Sequence, residues 1–393
     1  MIKTALSGSK VYYSWLLSLF IFCLIGIYYY YQQFVHGLIT TNLSDDVSWG
    51  VYIGNFSYLI GLAASTVFLV SAAYIYNNKA IHEIVLIGEL LAFSALLMCL
   101  LFITVDLGRP DRFLHILPII GKLNFPASIL AWDVVVLNGY LFLNMHIPGY
   151  MLYKMYRGKT AEKKSYMPFV YLSVFWAISI QTVSAFLYFG LGGRPFWNSA
   201  ILAPRFFVGA WTYGPAFLII ALSAINKFSG NFKVKEEVFT ILKKILSFTM
   251  PLNLFLLFCE VFKEFYTDNA HTISSQYLFF GLEGHHKLVP YIWSAIVFNI
   301  FSAVVYTTNL REKRNLLLFT CVLTILGTWI EKGIGLVIPA FVPSSLGEIV
   351  EYSPSLGEFW ICLGIWSFGI LAFTVNSKIC LAIMSGELRE NKV

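Results

Sequence analysis

Charge is scarce in this 393-residue chain: only 12% of its residues are Asp, Glu, Lys or Arg. Soluble proteins carry roughly 25%. The shortfall argues against a water-soluble globular fold. The chain also has no long basic stretch, so nucleic-acid binding is not expected despite a net charge of +6. Its six cysteines, Cys23, Cys99, Cys259, Cys321, Cys362 and Cys380, include no CxxC pair. A zinc or iron–sulfur site built by this chain alone is therefore not expected, and the thiols read as small apolar side chains of packed helices. Low-complexity segments and long linkers are absent too. Lys3 and Lys10 precede an apolar run, Tyr12–Tyr31, but Gln32-Gln33-Phe34 follows it, with no small-residue cleavage site. The run is too long for the core of a signal peptide and reads as a retained first helix.

What the chain does have is apolar sequence, 58% of it, with 17% aromatic residues. About 20 apolar residues cross the ~30 Å hydrocarbon core of a bilayer as a helix. Ten runs meet that need: Tyr12–Tyr31, Tyr52–Tyr76, Ile81–Val105, Ser128–Leu152, Met167–Leu191, Phe207–Ala224, Phe239–Tyr266, Tyr291–Thr307, Leu316–Ile338 and Phe359–Ala382. Backbone groups in lipid must be satisfied within the segment, so every run is expected to be helical. The fold class that follows is an all-α polytopic membrane protein of about ten transmembrane helices, forming one domain over 1–393. Trp49-Gly50-Val51-Tyr52 opens the second run, and Gly209-Ala210-Trp211-Thr212-Tyr213-Gly214 lies at the start of the sixth. The likeness suggests parallel repeats at 48–191 and 206–338, two four-helix bundles flanked by helices one and ten. On the side that holds the N-terminus fall 19 of the 27 Lys and Arg residues. The positive-inside rule then puts both termini in the cytoplasm and the protein in the cytoplasmic membrane.

Ionisable groups inside spans are costly and mark function by default. The densest group lies at the outer end of the third run: Asp106-Leu107-Gly108-Arg109-Pro110-Asp111-Arg112, then His115. Trp132-Asp133 opens the fourth helix, and Gly193-Arg194-Pro195 ends the fifth. Gly-Arg-Pro can be read as a plain helix stop, with Arg complementing the helix dipole. That accounts less well for Asp106, Asp111, His115 and Asp133 at one depth. Glu89, Glu260, Lys263, Glu331 and Lys332 are further buried candidates, with Glu89, Asp106, Glu260 and Glu331 as members of a proton path. Glu331 and Lys332 are adjacent, so they should point about 100° apart on a helix, and Glu260 is the expected partner of Lys332. His82 and His146 could pair on a haem only at matched depth, and both read more simply as interfacial residues. His271, His285 and His286 with Asp268 lack tight metal-ligand spacing, and no metal is expected there.

The segments Asp106-Leu-Gly-Arg-Pro-Asp-Arg-Phe, Trp132-Asp133 and Gly193-Arg-Pro-Phe-Trp-Asn resemble the NrfD/polysulfide reductase family of membrane subunits. Asp46-Val-Ser-Trp-Gly-Val-Tyr-Ile, Trp329-Ile-Glu-Lys-Gly-Ile-Gly-Leu-Val-Ile-Pro-Ala-Phe and Leu346-Gly-Glu-Ile-Val-Glu-Tyr-Ser-Pro narrow the resemblance to ten-helix members from complexes of dissimilatory sulfur metabolism. It implies a quinone-reactive membrane anchor with no haem or iron–sulfur cluster of its own. Menaquinone or another quinone would be the substrate. The implied partners are an extracytoplasmic ferredoxin-like iron–sulfur protein, a multihaem cytochrome c and other membrane subunits. Carried over by position, His115 and Asp133 are the catalytic pair. Arg109, Arg112 and Arg194, with Asn55 and Tyr58 by depth, are binding residues.

The chemistry fits such a site. Quinol oxidation releases two electrons and two protons, which calls for an apolar slot with polar groups aimed at two ring oxygens. Histidine supplies a base that titrates near neutrality, and a carboxylate can orient it. A secondary transporter or proton translocator without quinone chemistry is the alternative, given repeats and buried acids. Transporter sites use helices broken at the midplane. Here Gly and Pro concentrate at the ends of the runs, apart from Pro251 and the glycines of helix nine, which favours the first reading.

Overall fold

A helix satisfies its own amides, and each of the ten apolar runs is helical. The computed structural model describes residues 2–117, 119–230, 232–267 and 272–390. Among them, ten helices are long and apolar enough to cross a membrane. They are α1 (Lys10–His36), α2 (Val51–Ile75), α3 (Val85–Asp106), α4 (Ile129–Tyr156), α5 (Lys163–Phe189), α6 (Leu202–Phe228), α7 (Glu236–Thr267), α8 (Val289–Thr307), α9 (Arg314–Phe341) and α10 (Leu356–Met384). Helices α2–α5 pack into one four-helix bundle and α6–α9 into another. α2 and α6 join the bundles, while α1 and α10 pair with each other and α10 lies along α3. Five cysteines are buried in these helices, Cys259 is half-buried, and all six are free.

Hydrophobic burial does not separate one helix face from another where both sides are oily, so close approach does the work. At the α1–α10 crossing, a Cβ added at Gly26 would sit 2.8 Å from the Gly364 Cα. Backbone meets backbone there, and nothing can move aside. Gly54 of α2 approaches Gly333 of α9 in the same way, at 3.2 Å from the carbonyl carbon.

Several helices depart from regular α geometry in their interiors. Pro148, Pro168, Pro215 and Pro251 lie inside α4, α5, α6 and α7. Two π-helical turns occur among the described residues, at Ser71–Ile75 in α2 and Ile330–Ile334 in α9. The expectation that Pro gathers at helix ends is thus corrected. Neighbouring helices re-satisfy the freed backbone groups, which is why interior Pro is tolerated in a bundle.

The two Gly-Arg-Pro segments share one conformation. Arg109 (φ −132°, ψ 70°) and Arg194 (φ −125°, ψ 81°) each precede a 3₁₀ turn opened by proline, Pro110–Ile116 and Pro195–Trp197. The fixed φ of proline and its missing N–H suit the first position of a helical turn. The stretch between Thr267 and Lys287 contains a helix at Thr272–Phe279; Asp268 and His271 lie outside the described residues. The segment between α9 and α10 is strapped down by Glu351, which accepts the Lys287 amide at 2.9 Å and faces His285 Nδ1 at 3.3 Å. Burial raises the Glu351 pKa, but these donors outweigh it and hold the carboxyl below its ordinary range.

Overpacking a backbone contact costs about 1–3 kcal/mol, so Gly26→Leu is expected to lower stability by at least that much. Thermal unfolding in detergent, monitored by tryptophan fluorescence, measures it.

Candidate functional site

Two polar centres lie in the half of the membrane domain away from the N-terminus, one in each bundle. The first is built from helix ends far apart in sequence. Gln33 of α1 donates to the Val105 carbonyl of α3 and accepts from the Tyr52 hydroxyl of α2 at 2.8 Å. Asp106 ends α3, and its Oδ1 is buried with no hydrogen-bond partner among the described residues. It lies within electrostatic range of Glu358 and Tyr188. Glu358 opens α10 in a capping box with Ser355, accepting the amides of Ser355 and Asn42 at 2.8 and 2.9 Å. The Tyr352 hydroxyl also donates to Glu358. Burial, with Glu358 beside it, pushes the Tyr352 pKa well above the usual phenol range. A cavity of about 360 Å³ opens beside this group, lined by Tyr28, Tyr29, Gln32, Gln33, Glu358 and Ile361 among others.

Asp133 lies deeper on the same side. It is buried, accepts a hydrogen bond from Ser184 Oγ at 3.2 Å and sits within electrostatic range of Tyr188. Tyr188 bonds Ser57 and packs edge-on against Trp49 and Trp197. Asp106 and Asp133 therefore flank one buried phenol. His115, Arg109 and Arg112 sit apart from them, exposed on the rim. Asp133 takes its hydrogen bond from Ser184 rather than from His115, and Arg109 pairs with its own neighbour Asp111 at 2.8 Å. The Arg194 guanidinium lies 4.3 Å over the Phe341 ring. Its pKa is lowered by burial, with the nearby Asp46 opposing.

Asn55 and Tyr58 are buried at the centre of the domain and fully engaged. The Asn55 carbonyl accepts from Trp329 and Trp366, and its amide donates to the Val51 carbonyl. Tyr58 donates to the Ile325 carbonyl and stacks on Tyr213 at 4.1 Å. Glu89 lies toward the opposite end of α3 from Asp106, 17 residues away, or about 25 Å. Its partner is Tyr74, in the π turn of α2, at 3.2 Å. His82 packs edge-on against Tyr74, whereas His146 lies among Phe142, Tyr150 and Phe169.

The second centre is an ion network. Glu331 receives four donors: Arg205 Nη2 at 3.1 Å and Lys332 Nζ at 3.0 Å on Oε1, Asn253 Nδ2 at 3.1 Å and Asn299 Nδ2 at 3.0 Å on Oε2. Arg205 also pairs with Glu260. Two expectations are corrected here. Glu331 and Lys332 do meet, both lying in the π turn at Ile330–Ile334, with the long lysine side chain reaching back to its neighbour. Glu260 serves Arg205 rather than Lys332. Sequence reading missed Arg205, which falls just before the apolar run that opens α6, and it missed Asn253 and Asn299. A polar residue repeated at mid-span on both α7 and α8 was the available signal. A small cavity of about 30 Å³ lies against this network, lined by Arg205, Glu260, Glu264 and Glu331 among others.

Removing one partner of a buried ion pair costs about 3–5 kcal/mol, because the other charge is left uncompensated. Glu331→Gln is expected to lose that much stability, and Glu331→Gln with Lys332→Met to recover part of it. Equilibrium unfolding of both variants in detergent checks the order.

In comparisons with known proteins, the family described as polysulphide reductase, NrfD, matches residues 40–342. A selenate reductase subunit of Mesobacillus selenatarsenatis is 23% identical, covering 91% of this chain and 91% of that protein. The Hdr-like menaquinol oxidoreductase integral membrane subunit of Archaeoglobus fulgidus is 22% identical, covering 93% and 92%. The menaquinone reductase integral membrane subunit of Nitratidesulfovibrio vulgaris is 23% identical over 63% of this chain and 62% of its own length.

Proposed function

Because the chain belongs to the NrfD, polysulphide reductase, family, we propose that it is the quinone-reactive membrane subunit of a respiratory oxidoreductase complex of sulfur metabolism. It would exchange electrons between the quinone pool and an extracytoplasmic iron–sulfur partner. The observation that carries this reading is the cavity of about 360 Å³ lined by Glu358, which lies within electrostatic range of Asp106. Its volume lies within the range of pockets for small organic ligands, roughly 300–1,000 Å³. Tyr28, Tyr29 and Ile361 give it aromatic and apolar walls. The relatives named for menaquinol and menaquinone chemistry support naphthoquinone as the substrate class.

The chain's own residues divide the work. The tyrosine-lined wall receives the ring from the lipid side. Asp106, half-buried with an unbonded, buried Oδ1, is suited to accept a proton as quinol is oxidised. Asp133 and Tyr188 form a second proton-holding pair behind it. His115, Arg109 and Arg112 stand on the exposed rim, where a proton leaves toward water and where a partner would sit. Ile39, Ile119 and Leu346 support docking there: they are 88%, 98% and 87% exposed and lie in loops on that side. Electrons pass to the iron–sulfur partner, and a multihaem cytochrome c would continue the chain.

In the purified complex, Asp106→Asn, Asp133→Asn and His115→Ala are each expected to cut quinol-dependent electron transfer at least tenfold while subunit assembly survives. Gln32→Trp, which fills the cavity without touching the acids, should raise the KM for quinol severalfold. Unchanged kinetics in Gln32→Trp would place the quinone elsewhere. The same reading has both termini in the cytoplasm, so a reporter that fluoresces only in the cytoplasm, fused after Val393, is expected to be bright.

A further inference from the structure

One amide faces the wrong way for a bundle in oil. Asn55, Asn144, Gln181, Asn253 and Asn299 turn inward and are buried. Asn138 of α4 is exposed. It lies nine residues into the helix, roughly 14 Å from its start, which is well inside a hydrocarbon core ~30 Å thick. Its Nδ2 donates to the Val134 carbonyl at 2.8 Å. One N–H and the Oδ1 are left, and neither has a partner among the described residues. A polar group left unbonded in lipid is costly.

A second feature of α4 points the same way. Every other described glycine inside the ten spans has a neighbour within 4 Å of an added Cβ, because another helix or side chain crosses there. Gly149 has none. Eleven residues separate it from Asn138, which is three full turns and about 20° more, so the two share one face. Phe142 and Met145 lie between them, 50% and 54% exposed. The four residues fall within about 60° of one another, at the spacing of four, three and four that marks a helix–helix seam. On its other sides α4 packs against α3, α5 and α10.

We propose that this stripe of α4 is the interface between two copies of the chain, paired across a two-fold axis normal to the membrane. Both copies insert with the same orientation, so the two α4 helices run parallel and each residue faces its own counterpart at its own depth. Only a self-complementary stripe can pair in this way. Asn138 both donates and accepts, so two such amides close each other's open positions. Gly149 against Gly149 lets the backbones approach, the combination of small and polar residues that holds helices together in lipid. Phe142 and Met145 bring apolar surface, and no residue of the stripe carries a charge that would repel its copy. A helix of another subunit would need its own amide at this one depth, which a second copy supplies by symmetry. The interface lies away from the cavity between α1 and α10 and stands or falls independently of the quinone reading.

The test uses the full chain, labelled with one fluorophore and reconstituted at low density in vesicles, with copies counted by single-molecule bleaching. Wild type is expected to form pairs. Asn138→Leu and Gly149→Leu should each raise the dissociation constant at least tenfold with unchanged thermal unfolding, since neither residue touches another helix of its own chain. Met145→Cys is expected to cross-link two copies under mild oxidation, whereas Phe255→Cys, on the exposed face of α7, is not. Single copies of wild type at every density overturn the proposal. So do pairs that survive both leucine variants, or a Met145→Cys chain that fails to cross-link to its copy. Cross-linking of Met145→Cys to a different subunit in the purified complex overturns the choice of occupant.

Discussion

A charge cannot enter hydrocarbon alone, and that constraint organises the centre of this molecule. Arg205, Lys332, Glu331 and Glu260 carry two charges of each sign. They come from three helices, so none of the three can shift without stranding a charge from another. The π turn at Ile330–Ile334 carries both Glu331 and Lys332 into this network. The Lys332 stem in turn runs across Gly209, where an added Cβ would collide with its Cε. Charge pairing, helix geometry and a missing side chain are thus one solution.

The first bundle meets the constraint differently. Its acids, Asp106, Asp133 and Glu89, have hydroxyls for company rather than cations: Tyr188, Ser184 and Tyr74. A carboxyl among phenols and alcohols has no fixed counter-charge, so it can gain or lose a proton without tearing apart an ion pair. The two bundles share a helix count. They place their acids in opposite electrostatic settings.

The ten helices were legible in the sequence because oil-soluble length is a local property, written in consecutive residues. That Asp106 and Asp133 fall near helix ends on the same side was legible for the same reason, since the side follows from counting spans. Azimuth was not. Nothing in the α1 sequence says that Gln33 meets Tyr52 and Val105, or that Glu358 arrives beside Asp106 from the far end of the chain. His115 shows the limit from the other side. Its depth fits, but a 3₁₀ segment carries it outward and leaves it on the rim. Arg205 escaped notice because one cation at the edge of an apolar run reads as an interfacial residue. The π turn escaped because backbone widening has no signature in composition.

The walls of the outer cavity come from α1 and from the start of α10, joined where Gly26 meets Gly364. Eight membrane-spanning helices separate one wall from the other along the chain. With either helix missing, only half of the pocket exists, and it faces lipid. The site is therefore made by a long-range helix pairing, and whatever loosens the α1–α10 crossing opens it.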